Sequence, residues 1–318
     1  MTKIIYCIWL LTILTSGYAA ADEKLYNNLQ EISVTVKAGF SEGSGVIITR
    51  EVQTSPNNTE NVNFVWTAGH VVDGLRSVRT IITTEGQRKI VEFRDAQVIK
   101  DHIEGGRKVG ESVMYAKVIK YSDAENGDDL AILLVRKKNF VSVGATFADN
   151  QPVSIGTELY HVGSLLGQVG SNSMTRGIMS QIGRVLNLGT GDGVVFDQTT
   201  VSAFPGSSGG GVFLSERSGD KKGQYVGMLV RGAGETFNLI VPVRRMRAWS
   251  ERENVRWALD TDVKVPSLDD ILRLPIEGSL SSQKTSDTKL ITPDSRKFPT
   301  LPVRNTGWSL SPTVIKVK

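Results

Sequence analysis

The sequence predicts an all-β protein, and three observations predict it. Segments rich in β-branched and aromatic residues recur from Ile32 to Val243. Polar breaks separate them at short intervals. Glycine is abundant, 32 of 318 residues, which suits many tight turns between short strands. Read together, these describe β-barrels or a β-sandwich.

The elements follow in order. "ISVTVKAG" (Ile32–Gly39), "GVIITREV" (Gly45–Val52) and "VNFVWTAG" (Val62–Gly69) are strands, the last two joined by the polar hairpin loop "QTSPNNTEN". "VRTIITTEG", "RKIVEFRDAQVIK" and "MYAKVIKYS" continue the pattern, and "LAILLVR" is apolar enough to be a fully buried strand. After Asp149-Asn150-Gln151-Pro152 the strands resume with "ELYHVGS", "GIMSQIGRVL", "GVVFDQTTVS", "GVFLSE", "QYVGMLVRG" and "FNLIVPV". Residues 243–260 lack Gly and Pro and carry Met246, Trp249 and Trp257 at roughly helical spacing, which predicts a basic amphipathic helix packed on the last barrel. From Pro266 onward lie six of the ten prolines, with many Ser and Thr, so residues 261–318 read as a disordered tail in which "SLDDILRL" can form one short capped helix.

The N-terminus has the three-part layout of a secretory signal over residues 1–21. Lys3 supplies the positive start, Ile4 to Thr15 is mostly apolar, and small residues precede cuts after Ala19 or Ala21. The apolar run, about 12 residues, falls short of the roughly 20 that span a bilayer. A secreted or periplasmic location is therefore expected, with no membrane attachment once the signal is removed. Cys7, the only cysteine, lies in that segment, so the mature chain has no disulfide and relies on its core. The formal charge of +4 falls to +3 without Lys3, too small and too evenly spread to point to nucleic acid. There is no His-Glu-x-x-His, Cys cluster, P-loop or dinucleotide fingerprint, so neither a metal nor a cofactor is expected.

Chemistry concentrates in three short stretches. In Gly206-Ser207-Ser208-Gly209-Gly210, glycines permit the backbone angles that turn successive N–H groups toward one point. Ser208 takes the position of a nucleophile, and the N–H groups of Gly206 and Ser208 that of an oxyanion hole. A serine hydroxyl needs a base. His70, in "FVWTAGHVV", emerges from an apolar strand, whereas His102 lies exposed in the charged stretch "KDHIEGG" and His161 is a structural residue inside a strand. The base needs an ionised carboxylate to hold its tautomer. Asp129 in "ENGDDLAILLV" directly precedes the buried strand, while Asp128 points the other way, toward solvent.

"WTAGHVV", "GDDLAILLV" and "PGSSGG" resemble the three catalytic motifs of trypsin-like (chymotrypsin-fold) serine proteases. "GSGVII" (Gly43–Ile48), "HVGSLLGQVGSNSMTRGIMSQIGRV" (His161–Val185) and "NLIVPV" (Asn238–Val243) resemble the bacterial HtrA/Deg branch. The resemblance spans Ile32 to Arg247 and implies two six-stranded antiparallel β-barrels, about residues 28–145 and 150–245, in a protease domain of residues 22–260. It implies an exported serine endopeptidase acting on polypeptides, in protein quality control or processing, with His70 as general base and acid, Asp129 as its orienter and Ser208 as nucleophile. It further implies that the backbone of Val230-Arg231-Gly232 pairs with an extended substrate. Ser202, six residues before the nucleophile, and Asn238 would line the pocket for the residue preceding the scissile bond.

Two features depart from that family's pattern. The segment after Asp260 is too short and too rich in Pro and Ser for a PDZ domain, and no Ile-Val-Gly-Gly activation start is present. Neutral Ser202 argues against preference for Lys or Arg. A small or medium apolar residue is one expectation, and an acidic residue read by Arg231 or Arg244 is the other. The competing functional reading is a non-catalytic or partner-activated binding or chaperone-like protein on a protease scaffold. A third has the tail lying in the cleft as an inhibitor. Oligomeric state is open.

Overall fold

The computed structural model describes residues 23–83, 86–125, 127–186, 193–232 and 236–277. The expected signal, residues 1–21, and the chain beyond residue 277 lie outside them.

Among the described residues, fourteen strands form two closed antiparallel barrels of six and one separate hairpin. The first barrel runs in the order β1 (Ser33–Ala38), β2 (Ser41–Ser55), β3 (Asn58–Thr67), β8 (Leu130–Val135), β7 (Arg107–Ser122), β6 (Ala96–Glu104). The hairpin is β4 (Arg76–Thr83) with β5 (Gly86–Phe93). The second barrel runs β10 (Gly170–Leu186), β11 (Val194–Thr199), β14 (Asn238–Pro242), β13 (Tyr225–Gly232), β12 (Gly211–Leu214), β9 (Glu158–Leu165). Closing each sheet on itself removes exposed strand edges, which suits short strands carrying one apolar face. β8 has all six residues buried, as its unbroken apolar sequence predicts.

Strand register places the ends that carry chemistry. Thr67 at the end of β3 pairs with Ala131 at the start of β8. Chain leaving β3 and chain entering β8 therefore meet at one rim of the barrel. The second barrel contributes the segment before Gly211, where β12 begins beside Met228 of β13.

Four expectations need correction. Residues 23–31 form a helix, α1, that the strand-centred reading missed, and it buries Leu25 and Leu29. The β2–β3 hairpin has a shorter loop than the polar stretch suggests, with Ser55 opposite Asn58, because both strands extend into that stretch. The helix expected at 243–260 stops early: α3 spans Val243–Arg252, Asn254 takes a left-handed φ of 57°, and Arg256–Ala258 is a separate 3-10 turn. That break turns Trp257 inward against Phe64, ring centroids 4.8 Å apart, while Trp249 of α3 meets Trp66 at 5.7 Å. Lastly, residues 261–277 are packed on the protein. Ser267 caps α4 (Leu268–Arg273), Ile271 is buried, and Glu277 pairs with Arg76.

Candidate active site

β3 ends at Thr67, and Gly69–Val72 make the single helical turn α2, which carries His70 to the barrel rim. Ahead of β8, Asp128 and Asp129 are bonded back to the end of β7: the Asp129 N–H donates to the Asp123 carbonyl at 3.1 Å and the Asp128 N–H to Ser122 Oγ at 2.7 Å. This leaves Asp129 at a φ of 57°, a left-handed conformation that Asp tolerates better than most residues. Its carboxylate accepts the His70 N–H at 3.0 Å and faces His70 Nδ1 with both oxygens at 3.0 Å. The Asp129 side chain is 4% exposed and that of His70 38%. An ionised partner at Nδ1 places the proton there, so Nε2 is left as the acceptor.

Asp128 is not the solvated residue expected from strand alternation. Arg245 of α3 donates from Nε to its Oδ1 at 3.1 Å and from Nη2 to its backbone carbonyl at 3.0 Å, and Arg252 pairs with its other oxygen. Burial lowers the Arg245 pKa below the usual guanidinium value, opposed by the charges of Asp128 and Asp129.

The Gly206–Gly210 stretch is a tightly held turn. The Pro205 carbonyl accepts from the Leu166 N–H at 2.7 Å, and the Ser207 carbonyl accepts from the Gly210 N–H at 3.0 Å. In a trans peptide C=O and N–H point in opposite directions. The Gly206 and Ser208 N–H groups are thereby turned away from those carbonyls, and among the described residues neither meets an acceptor. Between them, the Gly206 carbonyl accepts from Ser44 Oγ at 2.7 Å, while Ser44 Oγ itself accepts from the Ser164 N–H at 2.7 Å. Gly206 has a φ of 92° and Gly209 a φ of 88°. A Cβ at Gly206 would strike the Ser164 carbonyl, and one at Gly209 the Ser44 carbonyl.

The adjacent serines are distinct. Ser207 is buried, and its Oγ accepts from the Phe204 N–H at 3.1 Å while its own N–H donates to the Phe204 carbonyl at 2.9 Å. Ser208 is half-buried, and its Oγ reaches the Val230 carbonyl at 3.5 Å. Its carbonyl accepts from the Ser44 N–H of the first barrel at 2.7 Å. Ser208 makes no hydrogen bond with His70 among the described residues.

The expected substrate-binding residues fall in two places. Asn238 is fully buried, donates from Nδ2 to the Val201 carbonyl at 2.6 Å, and lays an unpaired Oδ1 against Gly232. Ser202 is half-buried beside Val201. Val230, Arg231 and Gly232 close β13. Arg244 is committed elsewhere, bonded to both oxygens of Asp197.

Neither remaining histidine joins this site. His102 is exposed, with Nε2 2.8 Å from Ser112 Oγ. His161 is buried in the second barrel, its Nδ1 donating to the Gly211 carbonyl at 3.0 Å, and burial lowers its pKa to about 4. Ser44, Leu166 and Arg245 also shape the site, and nothing in their local sequence marks them. Their contribution is to orient peptide groups, and a serine or an arginine side chain carries no local signal for that. Among the described residues no cluster of His, Cys, Asp and Glu could hold a metal ion.

Two closed β-barrels with His70, Asp129 and Ser208 carried on their connecting segments define a chymotrypsin-like class of fold. Residues 43–228 match the profile of the trypsin-like peptidase domain, and the chain belongs to that family. It is similar to the serine protease Do-like HtrA of Lactobacillus helveticus, 25% identical over 217 residues that cover 66% of this chain and 42% of that protein. The corresponding protein of Lactococcus lactis subsp. lactis (strain IL1403) is 29% identical over 192 residues, covering 59% of this chain and 36% of that one. The chain thus spans about two fifths of the length of these relatives. In fold it resembles the crystal structure of Deg5, with a TM-score of 0.51 at 16% identity, over 76% of this chain and 98% of that one.

Proposed function

We propose that this protein is an exported serine endopeptidase that hydrolyses peptide bonds through an acyl-enzyme intermediate, and that it serves protein quality control or processing. Ser208 Oγ attacks the substrate carbonyl carbon, and its proton passes to His70 Nε2. The carbonyl oxygen becomes an oxyanion held by the Gly206 and Ser208 N–H groups. His70 then gives the proton to the departing amine as the C–N bond breaks. Water, deprotonated by His70, attacks the acyl carbon and releases Ser208. Asp129 keeps the imidazole oriented and stabilises its charged form.

One observation carries this reading: the Asp129 carboxylate holds both the ring and the backbone N–H of His70, at 3.0 Å each. The unsatisfied N–H groups at Gly206 and Ser208 support it further, since they are donors in place before any substrate arrives. Export is supported by the residue pattern of positions 1–21. Among the described residues no helix is long and apolar enough to cross a membrane.

The partner-activated scaffold is favoured by a single fact, the absence of a Ser208–His70 hydrogen bond among the described residues. Such bonds often tighten only with substrate bound. The deciding experiment is labelling of the purified protein with a fluorophosphonate, together with peptide hydrolysis. Both should occur in the natural protein and vanish in Ser208→Ala. A folded natural protein that neither labels nor hydrolyses peptides would exclude the catalytic reading.

A further inference from the structure

A cleft of about 340 Å³ opens where β13 ends, lined by Arg231, Gly232, Phe237 and Leu239. It adjoins the nucleophile, because Arg231 follows Val230, whose carbonyl meets Ser208 Oγ. Arg231 is half-buried there, and among the described residues its only hydrogen bond runs from Nη2 to the Ala124 carbonyl at 3.2 Å. Its Nε is buried without an acceptor, and no carboxylate of the described residues pairs with it. The half-buried arginines of α3 differ: Arg244 holds Asp197, Arg245 holds Asp128 and Arg247 holds Asp260. Withdrawing a guanidinium from water without a counter-charge is costly.

A second cation packs on Phe237. Arg184 lies 5.1 Å from the ring centroid of Phe237 and bonds the neutral side chains of Gln198 and Gln181. Phe237 therefore links the cleft to a second guanidinium, which has no carboxylate partner among the described residues. Strand register says which part of a substrate would meet them. Arg231 is opposite Leu239, and Gly232 opposite Asn238. Successive residues of a strand face opposite sides, so Arg231 projects away from the side on which Asn238 and Val201 pack. A peptide laid along β13 alternates in the same way. If its residue before the scissile bond enters on the Asn238 side, the second and fourth residues before that bond face Arg231. Ala124, in the segment leading to Asp129, closes the same subsite.

We propose that Arg231, backed by Arg184, selects substrates with Asp or Glu at the second or fourth position on the N-terminal side of the cleaved bond. The guanidinium offers a planar pair of donors matched to a carboxylate. This rests on the proteolytic reading and adds a substrate class to it.

The test uses a peptide substrate in matched versions bearing Glu, Gln or Lys at the second position, and a parallel set at the fourth. Glu should exceed Gln in kcat/KM by roughly tenfold or more at one of these positions, as expected for a charge-assisted hydrogen bond in a half-buried site. Arg231→Gln should abolish that ratio, and Arg231→Glu should invert it toward Lys. Arg184→Gln should reduce it in part. Should Arg231→Glu fail to fold, Arg231→Gln and the salt dependence of the natural protein's ratio remain as readouts. Equal cleavage of the Glu and Gln peptides by natural protein that labels with fluorophosphonate would overturn this inference and leave the proteolytic reading standing. Persistence of the Glu preference in Arg231→Gln would also overturn it. Absence of both labelling and cleavage would overturn both.

Discussion

Arg245 grips Asp128 by side chain and backbone together, at 3.1 Å to Oδ1 and 3.0 Å to the carbonyl oxygen. The guanidinium also stands 5.0 Å from the ring centroid of Phe196 and donates to the Val195 carbonyl at 3.3 Å. One side chain thus ties the segment before β8 to the second barrel. Because Asp129 follows directly, at a φ of 57°, the orientation of its carboxylate depends on this grip. Arg245→Ala should lower kcat about tenfold to a hundredfold with a smaller change in KM, since a displaced orienter disturbs the reacting geometry more than binding. Arg245→Lys should recover little, because a compact ammonium lacks the rigid planar fork whose separate nitrogens reach the two acceptors. Steady-state kinetics beside a thermal melt separates this from loss of folded protein.

The turn at Gly206 makes a second prediction. Gly206→Ala must adopt a φ of 92° and push a methyl group at the Ser164 carbonyl. The peptide should rotate and withdraw one N–H from the site. A fall in kcat of about a hundredfold to a thousandfold is expected. An undiminished rate, with the variant folded, would show that this N–H does not hold the oxyanion.

His161 makes stability depend on pH. Burial lowers its folded pKa to about 4, against an unfolded value near about 6.5. The unfolded chain therefore binds the extra proton between these values, and stability rises with pH across that window. The contribution is complete above about pH 6.5 and lost as pH falls toward 4, amounting to roughly 3 kcal/mol between the limits. Urea midpoints measured from pH 7 to 4 should fall less steeply in His161→Gln, which keeps a donor for the Gly211 carbonyl and does not titrate.

The segment after α3 is part of the folded domain. Trp66 Nε1 donates to the Ala258 carbonyl at 2.9 Å, the Tyr121 N–H donates to the Ile276 carbonyl at 2.8 Å, and Ile271 is buried. Removing residues 261–318 should lower the melting temperature by several degrees, since burial of Ile271 alone is worth roughly 1.5–3 kcal/mol. Removing residues 278–318 keeps every one of these contacts and provides the reference melt. Differential scanning calorimetry on the two truncations distinguishes them. The first truncation tests folding as much as any inhibitory role of the tail, so only the second can address autoinhibition.

Much of the strand pattern was legible because each strand advertises itself locally, as the six apolar residues of β8 do. Helix α1 was not, although Leu25 and Leu29 stand four residues apart, because nine residues leave a short periodic signal beside a signal-like leader. The end of α3 was equally hidden: nothing in residues 253–257 forbids helix, and the left-handed Asn254 follows from the burial of Trp257. Asp128 was misread because alternation along a strand cannot foresee an arginine 117 residues away.

The sequence by itself determined which residues had chemical potential. His70, Asp129 and Ser208 are marked by their immediate neighbours, and the glycines at 206 and 209 by the backbone angles that such a turn demands. Only the tertiary structure decided how they are used. It set the Thr67–Ala131 pairing that brings His70 onto Asp129, the Leu166–Pro205 bond that turns the Gly206 N–H outward, and the Asp197 partner that occupies Arg244 while Arg231 has no carboxylate partner among the described residues. The physical reason is range. Local propensity acts over a few residues, whereas these contacts join positions tens of residues apart and exist only once register and barrel closure have put them side by side.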